Sequence, residues 1–474
     1  MPDHMAHTAQ EPKSKSGWVI AIAAMMLFSM FFGAGNLIIP PIVGVESGEH
    51  FVPAIIGFIS TGVLLPVLAV IAVAITGNDV QDLARRGGRI FGLIFPILAY
   101  LSIGAFYALP RTATVSFSSA VTPVFGWEST GAAAGFSAVF FIVAFLMCLD
   151  PNGLVDKLGK YLTPALLILL AVLIILGIFT IDHHTGQASG DYATHAGPAG
   201  FVNGYLTMDS IAALAFGILV VSALRHKGLP AGPKLVRGVG LSAIIAGAFL
   251  GLIYLGLGYI GNFIPNGAGY QDGAALLADA ASQTMGTPGT VVFGLIVLLA
   301  CLSTAVGLLG ATSEYFNKLV PKVSYRAWLV IFCLISFAVS TTGLETVLAI
   351  AGPIVGFLYP PAITLILLTL IEPLIRRRLH WSYILALTVA TLWAALMTLS
   401  SLNVGTDLIT TLIGWSPGHA QDLGWFVPTV VAAVIGVVMD LAGGARKGVP
   451  LGGETVSEAE ARTGAVDVAG TSTT

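Results

Sequence analysis

Between Ser29 and Pro41 the first long apolar segment carries Gly33, Gly35, Asn36 and the pair Pro40-Pro41. Glycine lowers helix stability and proline removes a ladder donor, so this cluster weakens the backbone ladder at successive positions. Backbone N–H and C=O groups freed in hydrocarbon are costly. A break survives there only where protein, water, an ion or a solute satisfies them. That is the chemistry of a binding site in which half-helix ends face a ligand. The competing reading is close packing of a neighbouring helix across Gly33 and Gly35.

Two other places put charge or hydroxyls at membrane depth. Arg111, in Pro110-Arg111-Thr112, is the one basic residue inside an apolar span, and an intramembrane charge marks function by default. Asp209 is its candidate counter-ion, in a gate or a purely structural pair; snorkelling of Arg111 to the interface is the alternative. Ser303 and Thr304, in Ala300-Cys301-Leu302-Ser303-Thr304, either bond back to their own helix or join carbonyls of the broken first span around a hard monovalent cation. None of the nine histidines falls within a span, and the loop residues His183, His184 and His195 could bind a metal, although spacing so loose favours a solvated loop. Cys148, Cys301 and Cys333 lie in apolar runs and read as buried free thiols.

The elements that must position these groups are membrane helices. Of 474 residues 56% are hydrophobic and 9% charged, with mean hydropathy +0.91, far from the roughly one quarter charged of a soluble domain. Apolar runs long enough to span a bilayer recur twelve times. Among them are span 1 at 17–42, span 3 at 90–122, span 6 at 205–224, span 8 at 288–316 and span 10 at 345–371. Twenty of the 21 Lys and Arg residues fall in alternate connections, which places both termini in the cytoplasm by the positive-inside rule. Spans 1 and 6 stand five apart. An odd repeat inverts its second copy, so an all-α polytopic protein of two inverted five-helix repeats, with helices 1 and 6 broken, brings the breaks to one central site. The expected layout is a disordered tail at 1–16, one repeat at 17–181, an outer loop at 182–204, the second repeat at 205–371, two additional helices at 380–443, and a disordered tail at 444–474. In span 6 the mid-span Gly217 marks the expected break, and residues around Asp272 to Met285 read as a short interfacial helix.

Phe32-Gly33-Ala34-Gly35-Asn36 with Pro40-Pro41, Pro110-Arg111-Thr112-Ala113-Thr114-Val115-Ser116-Phe117, and Asn203-Gly204-Tyr205-Leu206-Thr207-Met208-Asp209 carry a resemblance. Here the chain resembles the branched-chain amino acid transport system II carriers, bacterial cation-coupled symporters for leucine, isoleucine and valine. Thr304-Ala305-Val306-Gly307 and Tyr359-Pro360-Pro361 look like that family too, and the similarity runs over residues 17–442. A more distant resemblance is to sodium-coupled amino-acid transporters of the five-plus-five inverted-repeat fold. It implies a cation site from Ala300, Ser303 and Thr304 with the carbonyls of Ser29 and Phe32. It also implies a substrate site at the exposed backbone of Phe31, Gly33, Gly35 and Phe216, beside Gly217. Asn36 would serve a second cation site, although Ile211 stands where those transporters have a threonine.

The resemblance implies a symporter of the bacterial cytoplasmic membrane that imports branched-chain amino acids with sodium and needs no cofactor. A proton-coupled carrier, or one for another amino acid, on the same fold is the nearest alternative. An enzyme would need a cluster of acids, a metal motif or a nucleophile with its base, and no His-Glu-x-x-His occurs. A channel would need a ring-forming filter.

Overall fold

The computed structural model describes residues 16–77, 80–150, 158–181, 185–265, 267–270, 273–444 and 448–463. The N-terminal tail, Lys157, His183, His184, Arg446 and Lys447 lie outside them. The described residues form helices and connections without a β-strand.

Two half-helices open the chain, α1 (Ser16–Phe31) and α2 (Ala34–Ser47). Next come α3 (Phe51–Ile59) and α4 (Leu65–Thr76), joined by a π turn, and a short α5 (Val80–Ala84). α6 (Arg89–Leu101), α7 (Ala108–Ser116) and α8 (Thr122–Phe125) follow one another through two further π turns. After α9 (Thr130–Cys148) and α10 (Thr163–Thr180) comes a second pair of half-helices, α11 (Tyr192–Tyr205) and α12 (Asp209–His226). The rest is α13 (Pro233–Phe263), α14 (Gly273–Met285), α15 (Thr287–Leu319), α16 (Tyr325–Ser340), α17 (Leu344–Ile375), α18 (Trp381–Ser401), α19 (Thr406–Ile413), α20 (Phe426–Ala442) and α21 (Val456–Thr463). Among the described residues nine helices are long and apolar enough to cross a bilayer, and α1, α16 and α20 are shorter apolar ones.

The broken helices are innermost. α1 packs on α12, α13 and α15, and α12 packs on α4 as well. Their large side chains, among them Phe28, Phe32 and Phe216, are fully buried, whereas Phe179 on α10 is 82% exposed and Val434 on α20 57%. Such an outward apolar surface belongs against lipid. Small residues let the inner helices approach backbone to backbone: a side chain at Gly44 of α2 would sit 2.0 Å from the Gly258 carbonyl of α13.

Two expectations need correction. The segment 192–204, read as part of an outer loop, is helical apart from a kink at His195, so the helical chain continues from 192 to 226 and its break lies at Leu206–Met208, at the very start of the expected span rather than at its middle. Hydropathy missed α11 because its glycines substitute backbone contact with α3 for apolar side chains: Gly200 meets the Ala54 carbonyl at 2.0 Å from an added Cβ. The residues after 443 are not a wholly disordered tail either. Residues 448–463 dock on the bundle, with the Gly452 N–H donating to the Ile75 carbonyl (2.9 Å) and its own carbonyl accepting from Gly232 (3.1 Å).

Candidate functional site

The first break is two residues, Phe32 and Gly33, closed from both sides. Phe32 N–H donates to the Phe28 carbonyl (2.8 Å), ending α1. The Gly33 N–H donates to Asn36 Oδ1 (3.1 Å), so the asparagine caps α2 from inside its own first turn. The other end of that amide crosses to the second break: Asn36 Nδ2 donates to Asp209 Oδ2 (2.7 Å) and to the Tyr254 hydroxyl. Tyr254, on α13, donates to the same Asp209 oxygen at 2.6 Å.

At the second break, α11 ends at Tyr205 and α12 starts at Asp209. Met208 holds a left-handed φ of 62°, uncommon for a residue with a side chain. Thr207 Oγ1 donates back to the Gly204 carbonyl (2.9 Å) and accepts from the Asp209 N–H (3.4 Å). Arg111 reaches in from α7: its terminal nitrogens donate to the carbonyls of Leu206 (3.3 Å) and Thr207 (3.4 Å) and to the Tyr107 hydroxyl (2.5 Å). The guanidinium carbon lies 4.7 Å from the centroid of the Tyr107 ring.

The expected Arg111–Asp209 ion pair is therefore replaced by another arrangement. Arg111 and Asp209 are 6% and 3% exposed, and each charge is matched to a half-helix end. The cation lies against freed carbonyls just past the C-terminus of α11, and the anion sits in the first turn of α12 with two side-chain donors. Both placements complement the helix dipoles. The two charges staple the break rather than one another.

The hydroxyls of α15 meet the end of α1. Ser303 Oγ donates to the Ser29 carbonyl (2.8 Å) and to that of Ala300 (3.0 Å), and Thr304 Oγ1 donates to the Met30 carbonyl (3.0 Å). The Ser29 hydroxyl is fully buried and has no partner. A Cβ on Gly33 would lie 2.6 Å from Thr304 Oγ1, so the oxygen cluster touches the break itself. Among the described residues no His, Cys, Asp or Glu group has metal-binding geometry.

Around the first break, the rings of Phe31 and Phe216 are 6.0 Å apart at 42°. An added Cβ on Gly35 would stand 2.8 Å from an Arg111 terminal nitrogen. Gly217 points elsewhere, its added Cβ meeting the Val73 side chain at 2.7 Å. It is a packing glycine between α12 and α4. The structure thus gathers Ser29, Phe31, Phe32, Gly33, Gly35, Asn36, Arg111, Asp209, Phe216, Ala300, Ser303 and Thr304, and leaves out Gly217. It adds Tyr107, Tyr254 and Met30. Tyr254 had a signal, as one of the few polar residues of its helix; Met30 takes part through its carbonyl, which a sequence cannot flag.

The described fold is close to two solved transporters. A nucleobase-cation-symport-1 family transporter, in a closed conformation with bromovinylhydantoin bound, superposes with TM-score 0.56 at 14% identity, covering 90% of this chain and 92% of that one. A manganese transporter of Eremococcus coleocola gives TM-score 0.58 at 12% identity, covering 91% and 97%. At that identity the likeness speaks for the fold alone. In sequence, a branched-chain amino acid permease of Corynebacterium glutamicum is 51% identical over 421 residues, 89% of this chain and 95% of that protein. The model of the branched-chain amino acid transport protein family matches residues 17–442. This multi-pass membrane protein, a transporter and not an enzyme, belongs to the branched-chain amino acid transport protein family.

Proposed function

We propose that the chain imports a branched aliphatic amino acid, such as leucine, isoleucine or valine, together with sodium by alternating access. The observation that carries this reading is the contact between the α15 hydroxyls and the last carbonyls of α1, one turn or less from the broken backbone. Sodium fits there because the donors are oxygens throughout: the carbonyls of Ser29, Met30, Phe32 and Ala300 and the hydroxyls of Ser303 and Thr304, with the unpartnered Ser29 hydroxyl beside them. When the ion enters, the hydroxyl protons turn away from carbonyls that then face the cation. Ordering the end of α1 in this way prepares Gly33 and Gly35 for substrate, and linkage makes the preference reciprocal. The aliphatic side chain of the substrate would rest against Phe31 and Phe216. One methylene changes affinity by only about 1–3 kcal/mol, so leucine, isoleucine and valine should compete closely.

The wider arrangement follows the same reading: twelve spans, two inverted five-helix repeats whose first helices are α1–α2 and α11–α12, and both termini in the cytoplasm. Asn36 serves the contact between the breaks, and a second cation there would have to displace the N–H and O–H donors that now face Asp209. The test is uptake of labelled leucine into liposomes holding the purified protein, with sodium and proton gradients imposed separately. An inward sodium gradient should drive accumulation at fixed pH. Accumulation driven by a proton gradient alone, without sodium, would transfer the coupling to protons, and no leucine uptake under either would remove the substrate assignment.

A further inference from the structure

Residues 448–463 form a small folded unit of their own. The Glu454 carboxylate accepts from the Leu451 N–H (3.1 Å) and from Arg462 Nε (3.1 Å), and Arg462 Nη2 donates to the Val449 carbonyl (3.0 Å). At the start of α21 the Thr455 N–H donates to the Glu458 carboxylate (2.7 Å), and the Glu458 N–H donates to Thr455 Oγ1 (3.3 Å). These bonds close within the unit, so they survive whether or not it rests on the helices beneath.

Beneath it lie the ends of five helices. The Gly452 N–H donates to the Ile75 carbonyl in the last turn of α4 (2.9 Å). The Gly452 carbonyl accepts from Gly232, just before α13 (3.1 Å), and from Arg225 Nη2 in the last turn of α12 (3.3 Å). Arg378, between α17 and α18, donates from Nε to the Gly448 carbonyl (2.9 Å). Most of this seat is backbone against backbone, and among the described apolar side chains of the unit only Val449 and Ala459 are buried. A cavity of about 380 Å³, lined by Pro373, Arg376, Val449, Leu451 and Arg462, separates the unit from the end of α17. Hydrogen bonds at a wet surface exchange with water at little net cost. The seat is built to be left and regained.

The helices held there include one that reaches the site. α12 begins at Asp209, in the second break, and ends at His226 beside Arg225. It packs on α1, α4 and α13, while α17 packs on α18. On the alternating-access reading above, on which this inference rests, these ends share the inner face, and the inner path must open there once in every cycle. We propose that residues 448–463 are a detachable strap that slows transport. Docked, it ties the inner end of α12 and its neighbours α4 and α13 to the α17–α18 connection, and the inner path opens after the strap lets go.

The test compares the full-length wild type with G452A and G452P in liposomes. Gly452 has a φ of 59°, and a Cβ there would lie 2.4 Å from the Gly232 carbonyl oxygen, so alanine strains the seat. Proline adds a second injury, because it removes the N–H bonded to Ile75 and fixes φ near about −65°. Limited proteolysis reads release of the segment, and the initial rate of labelled leucine uptake at saturating leucine and sodium reads its effect. G452P should expose the segment to protease and raise the maximal rate by about threefold, as for a strap docked about two thirds of the time. G452A should fall between G452P and wild type. A released segment with uptake at or below the wild-type rate overturns the strap, as does a segment still protected in both variants. Variants that unfold early and transport slowly would make the segment a structural brace and overturn it too. A wild-type protein that takes up no leucine under a sodium or a proton gradient would instead remove the transport reading on which the strap depends, whereas wild-type uptake with released but no faster variants removes the strap alone.

Discussion

Gly33 has no room for a side chain, since its Cβ would stand 2.6 Å from Thr304 Oγ1. Gly33→Ala should therefore push α15 off the broken end of α1 and reduce transport at least about tenfold, a loss of 1.4 kcal/mol or more in productive binding. Uptake assays on protein expressed at wild-type levels check it. Asp209→Asn tests the opposite case, a change of charge with little change of shape. The oxygen that accepts from Asn36 and Tyr254 becomes part of an amide, whose NH2 group cannot accept from either donor, so transport should fall while expression is retained. At this scale the sequence was legible wherever a residue type is improbable in lipid: Arg111, Asp209, Asn36, and the hydroxyls of Ser303 and Thr304. The pairing between them was not. Arg111 and Asp209 invited an ion pair because opposite charges in hydrocarbon should meet, yet freed carbonyls and a helix N-terminus are equally good partners, and those exist only once the helix has opened.

Gly217 shows how an element can mislead a reading of its residues. It was expected to mark the break in span 6, but α12 runs continuously through it and presses it on Val73 of α4. Gly217→Ala should overpack that contact and cost roughly 1–3 kcal/mol, seen as a lower unfolding temperature. Val73→Ala in the same chain should restore much of the loss, whereas a substrate-binding role for Gly217 would leave the double variant inactive. The true break, at Leu206–Met208, was hidden because α11 is built for contact with backbone rather than with lipid. A window that counts apolar side chains passes over Gly200 and Gly204, although the same glycines permit the close approach to α3. The first break was legible for the converse reason. Its glycines stand within an otherwise apolar run, where the interruption itself is the signal.

Across the whole molecule, residues 448–463 tie together the ends of helices far apart in the chain. Besides the bonds to Ile75 and Gly232, Arg225 donates to the Gly452 carbonyl (3.3 Å) and Arg378 to that of Gly448 (2.9 Å). Arg462 braces the segment on Glu454 at 3.1 Å. Composition suggested a polar tail, and no property of an isolated Gly-rich stretch announces the surface it fits. Gly77, with φ of 79° and the Gly453 nitrogen 1.9 Å from an added Cβ, is where that fit is tightest. Gly77→Ala should cost about 1 kcal/mol or more through backbone strain alone, read as a lower unfolding temperature and faster proteolysis of the C-terminal segment.

In the proposed function the cation cluster, the broken backbone and the substrate share one stretch, Ser29 to Asn36, and that proposal requires their occupancies to be coupled. Equilibrium binding of leucine to the purified protein, measured across sodium concentrations in wild type and Thr304→Ala, tests this most directly. In wild type, sodium should tighten leucine binding, and leucine should tighten sodium binding by the same factor. In Thr304→Ala that factor should collapse toward one with weak leucine binding remaining. Leucine affinity independent of sodium in wild type, or an undiminished sodium effect in the variant, would contradict it.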